Sequence, residues 1–213
     1  MTTLSDTRLE FYFSPGSRYS YLALSQVPKL EDTYEVLFEW IPVTGSTMRN
    51  LRGADPFHGP PLSGQYDWNY RQSDAEAWAD YYGIPFVEPR DHVFDADLLG
   101  RGAIAANTFG RLRDVSWAIA REVYEHASWP LDEEVVIAAA QSVGLNPVTF
   151  AELLGCEETR TTMAANCQRA VERGAFGTPT FFVNERIFWG NDRIPLLRHA
   201  LDKLRRGPRD GSQ

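Results

Sequence analysis

The period of the apolar positions changes along the chain. Leu9-Glu10-Phe11-Tyr12-Phe13-Ser14 sets Leu9, Phe11 and Phe13 on one face with a period of two. That predicts a strand, ended by Pro15-Gly16. Ser17 then caps a helix with apolar positions Tyr19, Leu22, Ala23 and Val27, which Pro28 ends or kinks. The near-continuous run Val36, Leu37, Phe38, Trp40 and Ile41 predicts a second strand over 35–43, buried on both faces. Residues 44–66 are rich in Gly, Pro and polar side chains and form a long connection, a kind that often carries function. The period is helical over 66–82, with Trp68, Tyr70, Ala75, Trp78 and Tyr81 as anchors, until Ile84-Pro85-Phe86 breaks it. An Ala-rich helical stretch follows over 97–126. Shorter ones cover 133–143, closed by Gly144, the segment opened by Asn146-Pro147, and 159–173, closed by Gly174. Period two returns in Thr180–Val183 and Ile187–Trp189, joined as a hairpin by Asn184-Glu185-Arg186. A last amphipathic helix over 192–204 turns Ile194, Leu197, Leu201 and Leu204 inward, with Pro195 in its first turn.

The order is β-α-β, a long helical middle, then β-β-α. The expected class is α/β: residues 8–44 and 175–206 as two halves of a thioredoxin-like domain, and 45–174 as a large all-helical insertion. The pattern alone leaves this as one of several α/β arrangements.

Composition narrows the partners. A chain of 213 residues with 43% apolar and 23% charged positions suits one domain carrying an insertion and excludes wholesale disorder. Basic residues number 21 against 29 acidic, a net of −8, with no basic stripe, which argues against nucleic acid or acidic membranes as partners. No apolar run approaches the ~20 residues of a membrane span, and Met1-Thr2-Thr3-Leu4 begins no secretion signal, so a cytoplasmic protein is expected. Cys156 and Cys167 on one helix would lie about 16 Å apart along its axis, too far for a disulfide. No CxxC and no His/Cys cluster points to a metal.

Two stretches carry the chemistry. One is Phe11-Tyr12-Phe13-Ser14-Pro15-Gly16-Ser17-Arg18-Tyr19-Ser20-Tyr21-Leu22-Ala23. The other is Phe176-Gly177-Thr178-Pro179-Thr180-Phe181-Phe182-Val183, continued by Phe188-Trp189-Gly190-Asn191-Asp192-Arg193. Together they resemble the 2-hydroxychromene-2-carboxylate isomerases and the kappa-class glutathione transferases, which are similar in fold to disulfide-forming enzymes of the DsbA type. Aligned on Tyr21-Leu22-Ala23, Ser17 and Ser20 stand where redox relatives carry two cysteines, so disulfide exchange at that place is lost. Relatives usually carry proline after the key serine, where this chain has Arg18.

A helix N-terminus carries roughly half a positive charge and free N–H groups, which stabilise a thiolate. Ser17 at that point can give the sulfur a hydrogen bond; the simpler alternative is a plain N-cap worth about 1 kcal/mol. This chain places no cysteine there, so the thiol must come from a cofactor, which the resemblance identifies as glutathione. A proline opening a strand after a Gly-Thr turn can be cis, and the resemblance implies that the Thr178 backbone beside Pro179 pairs with the cysteinyl part of glutathione. Asn191 and Asp192 are implied for its γ-glutamyl end, with plain helix capping as the alternative. Asn50 in the long connection is a further cofactor-binding candidate, since the relatives it resembles use an asparagine in this region near the thiol. Relatives often use a lysine for the glycyl carboxylate. This chain has none between Lys29 and Lys203, and Arg49, Arg52 and Arg71 are the candidates to replace it, with a different thiol as the alternative if none does. Tyr66, Trp68, Tyr70 and Trp78 are candidates to line an apolar acceptor pocket. The implied activity is glutathione-dependent isomerisation of an aromatic unsaturated keto acid, with a small aromatic molecule as substrate and a homodimer as the assembly. The alternatives are a kappa-like transferase or peroxidase, and a redox-silent DsbA-like binding protein.

Overall fold

The aromatic run near the start of the chain is the middle of a sheet in the computed structural model, which describes residues 4–53, 67–88, 90 and 93–206. β1 (Leu9–Phe13) is buried at every position. It pairs in parallel with β2 (Glu39–Pro42) and antiparallel with β3 (Thr180–Val183). β3 forms a hairpin with β4 (Arg186–Trp189), so the strand order is β2-β1-β3-β4. Alternation along β1 divides its side chains between two cores. Leu9, Phe11 and Phe13 join Trp40 and Phe181 in the larger one, and Tyr12 joins Ile41 and Phe182 in the smaller. Phe11 stacks on Phe181 with ring centres 4.9 Å apart and meets Trp40 edge-on at 5.2 Å. Such ring pairs add about 0.5–1.5 kcal/mol each beyond the area they bury.

α1 (Arg18–Leu24) and α2 (Val27–Tyr34) fill the crossover from β1 to β2. Every described element between β2 and β3 is helical: α3 (Gly45–Arg52), α4 (Trp68–Tyr82), α5 (Ala96–Ala105), α6 (Leu112–Tyr124), α7 (Glu133–Ser142), α8 (Pro147–Gly155) and α9 (Glu157–Glu172). α10 (Ile194–Arg206) follows β4. This is the thioredoxin-like α/β fold with inserted helices that the sequence order implies. Helices α5 to α8 pack on one another, α3 and α5 rest on α9, and α4 and α6 lie against α1.

Several boundaries differ from the sequence reading. Pro28 neither ends nor kinks the first helix. α1 already stops at Leu24, where Ser25 Oγ donates to Leu22 O at 2.7 Å. Pro28 instead lies in the first turn of α2, where its missing N–H costs nothing. The second strand begins at Glu39, not 35. Glu35 closes α2 in the left-handed conformation, and Phe38 N–H donates to Glu31 Oε1 at 2.8 Å instead of to a strand. The long connection contains α3, hidden because Met48 is its one buried residue; residues 54–66, Tyr66 among them, lie outside the described residues. Tyr70 and Tyr81 are exposed, not anchors, and Ala75 and Ala79 make the buried face of α4. The 97–126 stretch is two helices separated by a 3-10 turn over Ala106–Phe109 and by Gly110 at φ 67°. Arg186 belongs to β4, so the hairpin turns on Asn184-Glu185 alone. Asn191–Arg193 is a separate 3-10 turn, and α10 starts at Ile194, with Leu204 only half-buried.

Candidate active site

β1 ends at Phe13, and the turn that follows is fixed from several sides. Ser17 N–H donates to Ser14 O at 2.9 Å. Ser14 N–H donates to the hydroxyl of the fully buried Ser20 at 3.2 Å. Tyr124 on α6 donates its hydroxyl to Gly16 O at 2.7 Å. A Cβ at Gly16 would fall 2.5 Å from the Phe94 ring, so only glycine lets that ring approach. Ser17 itself is half-buried with extended backbone, and its Oγ accepts from Ser20 N–H at 3.4 Å, a long capping bond. The two serines thus have separate places one turn apart: Ser20 sealed inside, Ser17 partly open.

The sheet register brings the second motif to the same end. Tyr12 faces Thr180, so residues just before Thr180 lie beside those just after Phe13. The Thr178-Pro179 bond is cis. Pairing of β3 starts only at Thr180, which leaves the half-buried Thr178 outside the ladder. Pro179 O accepts from Gly190 N–H at 2.9 Å, and Trp189 pairs with Thr180. Through these bonds Asn191 and Asp192 follow at the same sheet end, and their turn touches α1.

Asn191 and Asp192 differ. Asn191 is 1% exposed; its amide donates to the Tyr82 hydroxyl at 3.5 Å, and its Oδ1 has no hydrogen-bond partner among the described residues. Burial is the main cause that pushes Tyr82 up to about 12. Asp192 is half-exposed, 3.5 Å from Arg193. Its carboxylate folds back over Gly190 (φ 102°), where a Cβ would lie 2.3 Å from Oδ1. Asn50 lies exposed in the last turn of α3, which packs mainly on α9. Arg52, two residues on, donates to Ala175 O at 3.4 Å, which ties that helix end to the chain leading into Thr178.

Charges gather beside Ser17. Arg18 Nη1 lies 3.0 Å from Glu88 Oε2, both side chains mostly buried. Burial raises the Glu88 carboxyl above its ordinary range, against the pull of Arg18 and Arg71. Arg18 and Arg90 both lie over the Trp68 ring, at 5.8 and 5.1 Å from its centre. Glu88, Arg90, Tyr124 and Tyr82 were not among the sequence candidates. Each joins the site across a long stretch of chain, and no local spacing marks them.

Neither thiol is at this place. Cys167 is buried on α9 and accepts from Thr44 N–H at 3.4 Å; Cys156 is the residue before α9. Among the described residues no group of His, Cys, Asp and Glu could hold a metal ion. A cavity of about 360 Å³ lies elsewhere, along the outer edge of β2 between Trp40, Ile41, Arg113 and Asn166.

The chain is similar to the 2-hydroxychromene-2-carboxylate isomerase of Sphingobium xenophagum, at 27% identity covering 91% of this chain and 97% of that protein. It is similar to glutathione S-transferase kappa 1 of Caenorhabditis elegans, at 24% identity covering 92% and 91%. Among solved structures, a 2-hydroxychromene-2-carboxylate isomerase superposes with a TM-score of 0.81 at 24% identity, covering 93% of this chain and 96% of that one. The model of the DsbA-like thioredoxin domain matches residues 8–202, nearly the whole described chain, and the protein belongs to that family.

Proposed function

We propose that the protein is a glutathione-dependent isomerase of an aromatic, unsaturated keto acid or its cyclic hemiketal. The observation that carries this reading is the pair of serines at the spacing of a redox pair, with the partly open Ser17 hydroxyl at the start of α1 and cis-Pro179 at the same sheet end. The names of the isomerase and kappa transferase relatives support it. The residues fit a bound thiol tripeptide: Thr178 offers backbone outside the ladder, Asp192 offers an exposed carboxylate for an ammonium, and no protein thiol competes at Ser17. When bound, glutathione supplies a thiolate that adds reversibly to the unsaturated carbon and lets the former double bond rotate.

The protein's own residues do the rest. Ser17 Oγ donates a hydrogen bond to the sulfur and lowers the cost of its negative charge, with the first N–H groups of α1 behind it. The Thr178 backbone aligns the cysteinyl portion as an added strand would. Asn50, Pro179 and Asn191 complete the cofactor's surroundings in this reading. Residues 8–44 and 175–206 carry the thiol, and the helical insertion over 45–174 supplies the acceptor side. A cytoplasmic homodimer belongs to the same proposal. Similarity to the nematode kappa transferase over nearly its full length favours conjugation of electrophiles as the second reading.

Two measurements test this. Glutathione at a hundredfold excess over its dissociation constant should stabilise the protein by about 2.7 kcal/mol; no thermal shift at millimolar glutathione sinks the cofactor. Ser17→Ala should lose turnover in a chromene isomerisation assay by a factor of roughly a hundred or more, the scale of one lost transition-state donor. Unchanged turnover removes Ser17 from the mechanism, and turnover only with conjugation substrates favours the transferase.

A further inference from the structure

Arg18 is the first residue of α1, next to Ser17, and its ion pair differs in alignment from those of Arg113 and Arg101. The Arg173–Glu10 contact is off-line too, but Arg173 has further bonds to Glu185 and Asn184 O. Arg113 meets the buried Glu31 with two aligned bonds, at 2.7 and 2.9 Å. Arg101 Nε meets Asp97 at 2.9 Å, aligned as well. Arg18 Nη1 and Glu88 Oε2 are 3.0 Å apart, yet both atoms are buried without a hydrogen bond among the described residues. The ion pair is close but off-line. A third buried atom of the same cluster, Arg71 Nε, also has no hydrogen bond among the described residues.

Leaving a buried N–H unpaired costs about 1–3 kcal/mol, more when it is charged. Two guanidinium groups bear that cost at one place. Arg18 and Arg71 lie near Glu88, Asp74 joins the same two cations beside Tyr19, and the exposed Arg90 lies over Trp68. Trp68 supplies a flat ring over which two of the cations lie. An off-line counter-ion, orphaned guanidinium N–H groups and an aromatic floor together fit a planar carboxylate joined to a ring, since a guanidinium fork matches both carboxylate oxygens.

We propose that Arg18, with Arg71 beside it and Trp68 beneath, binds the carboxylate of an aromatic acceptor and holds that acceptor next to Ser17. The assignment rests on the reading of Ser17 as the thiol's site and names the residue that selects the substrate's charge. Glu88 keeps Arg18 in place when the site is empty and competes with the incoming carboxylate.

Titration calorimetry on the full chain tests it, with chromone-2-carboxylate and its carboxamide as unreactive probes. The wild-type protein should prefer the carboxylate by tenfold or more. Arg18→Gln should abolish the preference with carboxamide affinity unchanged, and Arg18→Lys, a charge without the fork, should keep only part of it. Glu88→Gln should tighten carboxylate binding severalfold, an effect opposite to the loss expected of a merely structural ion pair. Equal affinity of the wild type for both probes, no binding of either, or a preference that survives in Arg18→Gln overturns the assignment. Carboxylate preference without any stabilisation by glutathione retains Arg18 and sinks the glutathione reading; stabilisation by glutathione without the preference does the reverse.

Discussion

Ser17 and Ser20 are three residues apart and do opposite kinds of work. Ser20 is fully buried, and its hydroxyl accepts the Ser14 N–H that the turn after β1 turns inward. Ser17 makes one capping bond at the long distance of 3.4 Å and keeps part of its surface open. Removing the Ser20 hydroxyl leaves a buried N–H without its acceptor, at a cost of about 1–3 kcal/mol. Removing the Ser17 hydroxyl loses a weak cap, about 0.5 kcal/mol. Urea denaturation should therefore rank Ser20→Ala as the more destabilised variant, although Ser17→Ala is the one proposed to lose turnover. Equal destabilisation of the two would mean that Ser17 is chiefly structural. This division was half legible in the sequence: the spacing of the serines and a cap at Ser17 follow from local pattern. Which hydroxyl stays open depends on Phe94 and Tyr124 closing over Gly16, and those contacts span distances along the chain that no local pattern encodes.

Elements whose identity rests on local periodicity were readable, and those defined by a single buried residue or a cap were not. β1 and the β3–β4 hairpin announce themselves by aromatic alternation. α3 buries only Met48, and α2 opens on a proline that reads equally well as a stop. The least legible feature of β1 is Glu10, which alternation marks only as a polar position. It is fully buried and receives Arg173 Nη2 at 2.9 Å, Arg8 at 2.9 Å, Arg169 and the Tyr12 hydroxyl. Arg169 also holds Glu39 of β2, so the cluster ties two strands to α9. Glu10→Gln leaves the mostly buried Arg173 without a buried counter-ion, held by the exposed Glu185, the Asn184 carbonyl and the Phe182 ring. Breaking such a buried pair costs about 3 kcal/mol. The urea midpoint should fall accordingly with an unchanged slope. Arg160→Ala, which removes an exposed pair with Glu157 at 3.7 Å, should shift stability by no more than about 0.5 kcal/mol. Similar effects from the two variants would show that Glu10 is solvated.

Across the whole molecule, the outer edge of β2 is guarded by side chains and not by another strand. Arg113 donates to Phe38 O at 3.3 Å and Asn166 to Pro42 O at 3.1 Å, which uses backbone groups that would otherwise recruit a strand from another chain. No described helix is long and apolar enough to cross a membrane. The two thiols make the stability of this assembly measurable from within. Cys167 lies in the smaller core between the sheet, α3 and α9, and burial pushes its thiol above the ordinary range. Cys156 is partly exposed, and a hydrogen bond with the Thr159 hydroxyl is the first cause that lowers its pKa. A thiol reagent should therefore find one reactive cysteine in the native protein and two after unfolding, with Cys156 reacting faster than an unperturbed thiol at neutral pH because more of it is thiolate. Cys167 can be reached only when α9 lifts from the sheet, so its slow labelling reports the opening free energy of the core that also fixes Thr44 and the end of β1. A ligand bound across Ser17 and Thr178 holds that core closed and should slow Cys167 labelling by the factor 1 + [L]/Kd, with Cys156 unaffected. Labelling of Cys167 at the rate of Cys156 in the native protein would contradict its burial. Slow labelling that glutathione leaves unchanged would separate a sound fold from a site that does not hold the tripeptide.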